Sequence, residues 1–529
     1  MTRNTKDWLF ALALTIPMLV FFAGYLFNHS AGLHPTGFFM YDNVAYAAYA
    51  KEYLDYDSLH LFYSNPLNDS QHYPKVYFQS QNIFIVLLLL AGIPPGFALM
   101  FLCWAFTLLC FRLIITLYDH LVPQGRRRNL SILFFCWGGG LLALGGIPVT
   151  FMSPGRTIDF LDHMFILDPG WGWWGLNFGR ALFIGLEAYY HFLFLAIIIC
   201  ILRQRWKAAL LLQALLSVSH PFNGVELLCI VGAWLFWEKI ILRRRQVPWF
   251  FAIGTGLVLL FHVFYYLYYL NLFPDHRSVS DQYALNWRLR FYSMIPAYCI
   301  VGALAVASWL LRKKEFFTHT HNRLFACWFL AAFLLSNHEI FMKPMQPIHF
   351  TRGYIWTGLF LLGLTGLQWL YGVLEKMRPG RWLLVLFAAL FLSDNFLWVV
   401  NYARFHVETP TTAHITTEQK KLIKVLESNS NIETLVIGRD ETLPYLSSVY
   451  TKAYPWISHP FTTSFAAQKN SSYDNFIRHN TIDSSWRNRD ILFIFRKTDS
   501  LENARSRAMS VPVQLLAETE TYRVLRGRP

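Results

Sequence analysis

Apolar runs of about 20 residues recur along this chain, and they constrain its fold more than any other feature. A helix of about 20 apolar residues is long enough to cross the hydrocarbon core of a bilayer. Long runs lie at about 8–28, 97–119, 129–150, 176–202, 223–241, 248–271, 292–311, 353–374 and 382–401. Two shorter runs, 208–219 and 324–337, are also interpreted as spans. The pattern predicts an all-α polytopic membrane protein with about eleven transmembrane helices.

The composition supports this interpretation. Charged residues make up 15% of the 529-residue chain and hydrophobic residues 55%, whereas soluble proteins carry about 25% charged residues. These values exclude a disordered protein, a coiled coil, a collagen-like fibre and a simple soluble enzyme. The net charge of +14 would suggest nucleic acid binding in a soluble chain, but here the position of the charges gives another explanation.

The basic residues cluster between the apolar runs. The clusters lie at 3–6, 126–128, 203–207, 243–245, 312–314 and 376–381. If every cluster is cytoplasmic, the inner loops hold about 19 Lys or Arg in about 50 residues and the outer loops about 8 in about 116, as the positive-inside rule requires. The N-terminus is then cytoplasmic, the C-terminus is outside, and no nucleic acid partner is needed.

Two apolar segments need separate interpretation. As a full span, residues 82–92 would place the 126–128 cluster outside, so we interpret them as a re-entrant or interfacial helix. The first run is too long for a signal peptide and lacks a small-residue cleavage site after it, so it is expected to remain as an anchor.

The N-x-S/T sites at Asn68 and Asn470 fit either a bacterial inner membrane or an endoplasmic reticulum. The lack of a C-terminal retention signal favours the bacterial inner membrane.

The chain becomes polar after residue 401, which divides it into a transmembrane domain, 1–401, and a soluble domain, 402–529. The second part carries strand patterns alternating with helical ones. Strands are predicted at 434–437, 491–495 and 522–525, and helices at 418–427, near 441–449 and at 499–508. Thr416 or Thr417 is expected to cap the first of these helices. The sequence thus predicts a small extracytoplasmic α/β domain.

The first outer loop, 29–81, contains the most informative residues. Asp42 can cap the helix that follows it. Tyr46 begins a series of tyrosines at helical spacing, with alanines between them, which is typical of a helix lying on a membrane surface. The remaining tyrosines are Tyr49, Tyr53 and Tyr56, and the later acids, interpreted as solvated charges, are Glu52, Asp55, Asp57 and Asp69.

This region resembles the GT-C class of membrane glycosyltransferases. The resemblance rests on Asp42 shortly after the first span, an amphipathic helix, Tyr73-Pro74, an apolar helix, a Gly-Pro break and a long span with a basic end. Asn43 and Lys75 differ from the class pattern, which has a second acid and a second proline there. The resemblance implies an inverting enzyme that transfers a sugar from a polyprenyl-phosphate donor to an extracytoplasmic lipid, glycan or protein.

Such a transfer requires a carboxylate and fixed cations. The reaction develops oxocarbenium-like charge, the acceptor must lose a proton, and the leaving phosphate needs cations rather than an acid. Asp42 is the candidate for acceptor activation. Arg352 is the leading donor-phosphate ligand, because a basic residue followed closely by Tyr at a late span start resembles the class. Further candidates for the phosphate are His349, Arg180 and Lys343. Interfacial snorkelling, which is routine for a Lys or Arg at a span end, is the alternative explanation for Arg352 and Lys343.

The other outer loops add groups that could line a substrate cavity. Asp159 and Asp162 share a helical face and, with Asp42, could bind a divalent metal ion through oxygen. Trp171–Trp174 forms either an interfacial belt or a platform for a sugar. Further cavity candidates, besides Tyr46, are His220, Asn223 and Glu226 at a tight outer turn.

An alternative function stays open. A non-enzymatic lipid-linked glycan transporter, or an assembly protein, would have a path through the membrane lined by ionisable groups. The candidates for such a path are Glu187, His191, Glu226 and Asp394. A glycan ligase or polymerase of different topology is a third possibility. The enzyme hypothesis requires Asp42 and Arg352 to face one outer cavity that opens toward lipid.

Overall fold

A computed structural model gives the fold and describes residues 2–54, 62–69, 73–123, 125–152, 161, 164–244 and 246–529. The chain is mostly helical and forms two compact units. The first unit comprises Met1–Asn28, Leu102–Tyr266 and Ala284–Phe405, and the second comprises His29–Phe101, Leu267–Tyr283 and His406–Pro529. The second unit therefore contains the predicted first outer loop, 29–81, which the sequence had grouped with 1–401, and its last segment begins at 406.

Helices long and apolar enough to cross a membrane are the main feature of the fold. In the described part of the chain five single helices qualify by length and composition: Arg3–Phe27, Pro95–Leu121, Trp249–Leu272, Phe291–Phe316 and Gly380–Arg404. Two bent pairs raise the number to as many as seven, Arg128–Trp137 with Leu142–Phe151 (54°) and Pro347–Leu362 with Leu364–Lys376 (56°). This fold is compatible with a membrane protein, and the count of eleven spans stays a prediction.

Shorter helices occupy the remaining apolar runs. They are Glu187–Leu202, Trp206–Ser219, Pro221–Phe236 and Thr320–Leu335. The run at 82–92 forms a helix of 10 residues, Gln81–Leu90, which is too short for the roughly 20 residues that a full crossing needs. The sequence located these helices correctly, but apolar length alone does not establish which of them cross a membrane.

A buried acid lies at the break of the first bent pair. Between Arg128–Trp137 and Leu142–Phe151, the carboxylate of Asp394 accepts hydrogen bonds from the backbone N–H groups of Gly140, Leu142 and Ala143 at 2.9–3.1 Å. These donors belong to the start of the second helix, where backbone N–H groups have no intrahelical partner. Asp394 therefore stabilises the start of a broken helix.

The second unit is built around a mixed five-stranded sheet. Two short strands, β1 (Leu33–Pro35) and β2 (His414–Thr416), precede this sheet in the chain and are not part of it. The strands of the sheet are β3 (Leu435–Ile437), β4 (Tyr454–Pro455), β5 (Ile491–Arg496), β6 (Val513–Glu518) and β7 (Tyr522–Gly527). The sheet order is β4-β3-β5-β7-β6, with β3 parallel to β4 and β5 and the other pairs antiparallel. A separate antiparallel pair, β1 with β2, joins the first outer loop to the C-terminal segment within this unit.

The predicted C-terminal elements are confirmed. β3, β5 and β7 lie at the predicted strands, and helices form at Thr417–Ser428, Leu443–Tyr450 and Ser500–Arg507. Thr416 caps the first of these helices in a capping box with Gln419. The helix Ala466–His479 and strands β4 and β6 were not predicted.

Two acids of the first outer loop correct the sequence interpretation. Glu52 is only 3% exposed and accepts hydrogen bonds from the backbone N–H and hydroxyl of Ser64. Asp69 is 9% exposed and lies 3.1 Å from both the Lys469 ammonium and the Tyr73 hydroxyl. The prediction of solvated charges was wrong for both, because the loop folds into the second unit. Asp55, Asp57 and Tyr56 lie outside the described residues.

A buried histidine in the second unit predicts a pH effect on stability. Burial lowers the pKa of His276 from 6.5 to about 4, and its Nδ1 lies 3.0 Å from the Tyr77 hydroxyl. Between pH 6.5 and about 4, the folded state therefore binds fewer protons at His276 than the unfolded state does. We expect about 3 kcal/mol of stability, present above pH 6.5, to be lost as the pH falls to about 4.

His276→Asn provides the comparison for this prediction, because an amide oxygen can accept the Tyr77 hydroxyl without titrating. Thermal unfolding of the purified protein should show a smaller loss between pH 6.5 and about 4 for this variant. Identical losses in the variant and the wild type would show that His276 does not contribute.

Candidate functional site

Asp42 lies at the start of the helix Asn43–Lys51 in the second unit, but its side chain does not cap that helix. Its Oδ1 instead lies 3.0 Å from Nε2 of His459. The Asp42 side chain is 54% exposed, whereas that of His459 is 4% exposed. The carboxylate is thus accessible at a position that a buried imidazole defines.

The tautomer of His459 follows from its other hydrogen bonds. The backbone N–H groups of Phe461 and Thr462 point at Nδ1 from 3.1 and 3.3 Å. Nδ1 must therefore be the acceptor, and the ring proton of the neutral imidazole lies on Nε2. His459 donates this proton to Asp42, which stabilises the ionised carboxylate.

The Tyr445 hydroxyl fixes the backbone around Asp42, and the rings of Tyr41 and Tyr445 pack beside His459. The Tyr445 hydroxyl donates to the carbonyl oxygen of Tyr41 at 3.1 Å and accepts the backbone N–H of Ala45 at 3.1 Å. The rings of Tyr41 and Tyr445 lie 5.2 and 5.5 Å from the His459 ring. Burial and the negative charge of Asp42 raise the pKa of both phenols, so they remain neutral donors at physiological pH.

The helix after Asp42 packs differently from the prediction. Its alanines and Val44 are buried, and it contacts the helices Gln81–Leu90 and Leu443–Tyr450. Tyr46 is half-buried, with its ring 6.3 Å from that of Tyr49 in an edge arrangement. This helix is therefore an internal element of the second unit, not one that exposes a whole face at a membrane surface. Small alanines permit the close packing that the tyrosine spacing did not indicate.

In the first unit, Arg352 forms an ion pair that the sequence did not predict. Its guanidinium donates to Oε1 of Glu187 at 2.6 Å, and the Asn223 amide donates to Oε2 at 2.9 Å. The Nε2 atom of His191 lies 2.9 Å from the carbonyl oxygen of Arg352 and donates a hydrogen bond to it. Arg352 retains 16% exposure, whereas Glu187 is 2% exposed. Two of the residues proposed for a transport path thus position Arg352.

Three further predicted residues belong to this cluster. His220 accepts the backbone N–H of Asn223 at Nδ1 and thereby caps the helix Pro221–Phe236. His349 stacks on Phe222 with ring centroids 4.3 Å apart. Glu226 is completely buried, and within the described residues neither carboxyl oxygen has a hydrogen-bond partner. Arg352 and Asn223 therefore meet at Glu187, and His220 caps the helix that carries both Asn223 and Glu226.

The other predicted phosphate ligands have different surroundings. Arg180 forms an ion pair with Asp168, and both side chains are fully buried. Lys343 is exposed. Full burial against an acid gives Arg180 a structural role that the sequence did not indicate.

The predicted metal site falls largely in a part of the chain that the structure leaves undescribed. Asp159 and Asp162 lie outside the described residues. Within the described ranges, no group of three or more His, Cys, Asp or Glu side chains is arranged to hold a metal ion.

The sequence did contain a signal for His459. His459-Pro460-Phe461 repeats the tripeptide His220-Pro221-Phe222, and each histidine uses Nδ1 to accept a backbone N–H three residues further on. In both tripeptides Nδ1 is the acceptor, so the proton of the neutral ring lies on Nε2. The partner of His459, Asp42, 417 positions away, could not be predicted in this way.

No protein-family model and no curated protein matches this sequence.

Proposed function

We propose that this protein is an inverting membrane glycosyltransferase, which moves a sugar from a polyprenyl-phosphate donor to an extracytoplasmic lipid, glycan or protein. In this proposal it resides in a bacterial inner membrane, with the N-terminus in the cytoplasm and the C-terminal domain outside. The observation that carries the proposal is the exposed Asp42 carboxylate, which His459 holds by a hydrogen bond in place of a helix cap.

In the proposed reaction Asp42 is the general base. The acceptor hydroxyl or amine transfers its proton to the carboxylate as its oxygen or nitrogen bonds to the anomeric carbon. The bond from that carbon to the phosphate oxygen breaks, and polyprenyl phosphate leaves with the electron pair. His459 donates a hydrogen bond to Oδ1, so it orients the carboxylate and supports its negative charge before the transfer.

Arg352 is the proposed ligand of the donor phosphate. A guanidinium carries five N–H donors in a planar fork that matches a phosphate group, and one terminal nitrogen donates to Glu187. The donor phosphate would take the place of Glu187 on this nitrogen, and Glu187 would keep its hydrogen bond from Asn223. His349, Lys343 and Arg180 stay secondary candidates, and Arg180 is the weakest of them because Asp168 neutralises it.

Arg352 substitutions test this assignment. Arg352→Ala alone would leave Glu187 as an unpaired buried charge, so the variants are made with Glu187→Gln. In that background Arg352→Ala should weaken donor binding by about 10- to 100-fold, the value of one charged hydrogen bond, and Arg352→Lys by much less. Binding of a labelled polyprenyl-phosphate sugar to the purified variants measures the effect. Equal binding by both variants would make Arg352 a structural anchor.

His459 substitutions test the positioning of the base. His459→Phe removes the donor to Asp42 and should lower the transfer rate by about 10- to 100-fold, whereas His459→Gln can restore a donor near Nε2 and should recover much of it. The acidic limb of the pH–rate profile should move upward in His459→Phe, because the carboxylate loses a stabilising partner. His479→Phe is the control, since His479 is exposed in the same unit. An unchanged profile would exclude a positioning role for His459.

The proposed activity is tested by incubating the purified protein with a panel of radiolabelled polyprenyl-phosphate sugars and membrane acceptors. We expect a labelled product from at least one donor, accompanied by release of polyprenyl phosphate. Absence of product with every donor and acceptor would favour the non-enzymatic alternative, a lipid-linked glycan transporter or assembly protein.

A further inference from the structure

A polar cavity lies in the first unit, at the ends of three apolar helices. It has a volume of about 270 Å³ and is lined by Asp7, Arg112, Thr116, Asp119, His120 and Arg203. A second cavity of about 220 Å³ shares Asp7 and adds three cations, Arg3, Lys6 and Arg128. The volumes fall just below the 300–1,000 Å³ of sites for drug-sized ligands. They suit a small charged group better than a whole metabolite.

The carboxylates of these cavities are already paired. Arg128 donates to Asp7 at 2.8 Å and to both oxygens of Asp119 at 2.6 and 2.8 Å. Arg3 also donates to Asp119, at 2.7 Å. Both acids in the larger cavity therefore neutralise arginines that line the smaller cavity or the protein surface.

The two arginines of the larger cavity have no acid partner within the described residues. Arg112 donates to the neutral side chains of Asn4 and Thr116, and its Nε is buried without a hydrogen-bond partner. Arg203 is exposed and forms no ion pair in the described part of the chain. The larger cavity thus has two uncompensated guanidinium groups, which suit a phosphate group.

The position of the cavity indicates where such a phosphate would come from. Arg112 lies nine residues before the end of Pro95–Leu121 and donates to Asn4 at the start of Arg3–Phe27, and Arg203 directly follows Glu187–Leu202. Trp8 is 39% exposed, and the Arg112 guanidinium lies over its ring, 5.6 Å from the ring centroid. Helix ends with arginines and an exposed tryptophan are typical of the headgroup level of a bilayer.

We propose that this cavity binds the phosphate of an anionic phospholipid headgroup between Arg112 and Arg203. The acyl chains would lie along exposed apolar residues of the first helix, such as Leu9 and Leu12. The charge pattern of the sequence predicts that Arg3 and Arg203 lie at the cytoplasmic face, where anionic lipids attract Lys and Arg. The inference rests on the proposed membrane location but not on sugar transfer.

Lipid retention measured by native mass spectrometry tests this site. The full-length protein is incorporated into phosphatidylcholine bilayers with and without phosphatidylglycerol, and then released into detergent. Wild type should retain phosphatidylglycerol in preference to phosphatidylcholine, and Arg112→Gln with Arg203→Gln should retain at least about tenfold less. Arg378→Gln with Arg381→Gln removes the same charge from exposed positions and should retain as much as wild type.

Two further arms keep the result unambiguous. Arg203→Gln alone changes an exposed side chain and should fold normally, so its retention of phosphatidylglycerol should fall even if the double variant is unstable. Inorganic phosphate should not displace the lipid, because it lacks acyl chains. Equal retention by Arg203→Gln and wild type, an equal loss in the control pair, or displacement by inorganic phosphate would overturn the proposal. Retention does not depend on transferase activity, so the two proposals can fail separately.

Discussion

Replacing Asp42 with Asn is expected to lower the rate of sugar transfer by about 10²- to 10⁴-fold, the usual contribution of a general base. An amide cannot take the acceptor proton. Its oxygen can still accept the hydrogen bond from His459 Nε2, so the local geometry should persist. The Asp42 side chain forms no helix cap and is 54% exposed, and folding should therefore be unaffected.

Asp474→Asn is the matched control for this experiment. It makes the same chemical change at a carboxylate in the second unit that is 40% exposed and paired with Arg439. Initial rates should equal those of wild type for Asp474→Asn, and both variants should show wild-type thermal unfolding. Transfer by purified Asp42→Asn at the wild-type rate would remove Asp42 from the mechanism.

Replacing Arg180 with Ala is expected to destabilise the protein by about 3–5 kcal/mol. Arg180 and Asp168 form an ion pair in which neither side chain is exposed. The substitution would leave the Asp168 charge buried without its partner, which costs more than the ion pair itself contributes. The measurement is the thermal unfolding midpoint in detergent, together with the yield of folded protein.

The double variant Arg180→Met with Asp168→Leu separates a structural role from phosphate binding. Two apolar side chains of similar size leave no unpaired charge, so this variant should recover most of the lost stability. If Arg180 is only structural, the double variant should bind the labelled donor as wild type does. Recovered stability with lost donor binding would instead show that Arg180 is a phosphate ligand, and unchanged stability of Arg180→Ala would contradict the ion-pair assignment.

Local patterns allowed much of the fold to be predicted. Apolar length located the helices of the first unit, and alternating strand and helix patterns located β3, β5 and β7. The cap at Thr416 was predictable because a capping residue directly precedes the helix that it caps, whereas the reciprocal contact with Gln419 was found only in the structure. The missed helix Ala466–His479 is polar and lacks a side-chain cap hydrogen bond, so neither apolar periodicity nor a start signal marked it.

The ion pairs could not be predicted, because each depends on contacts between distant segments. Glu187 and Arg352 are 165 positions apart, and Asp69 and Lys469 are 400 apart. Composition indicated that Asp69 should be solvated, yet the folded loop buries it. An acid in a polar loop can be assigned to the surface or the interior only when its partner is known.

The same contacts bear on the transport alternative. A path through the membrane requires ionisable groups that are available to a solute. Glu187 is bound by Arg352 and Asn223, and Asp394 is bound by three backbone N–H groups. Of the four residues considered for a path, Glu226 is the one whose carboxyl group has no hydrogen-bond partner within the described chain.

The anomeric configuration of the product tests the central claim most directly. If one carboxylate, Asp42, deprotonates the acceptor while polyprenyl phosphate leaves, the acceptor attacks the face opposite the phosphate in a single displacement. Nuclear magnetic resonance of the purified product should therefore show inverted configuration relative to the donor. Retained configuration would require a covalent intermediate on a second nucleophile, and it would contradict a mechanism in which Asp42 acts only as a base.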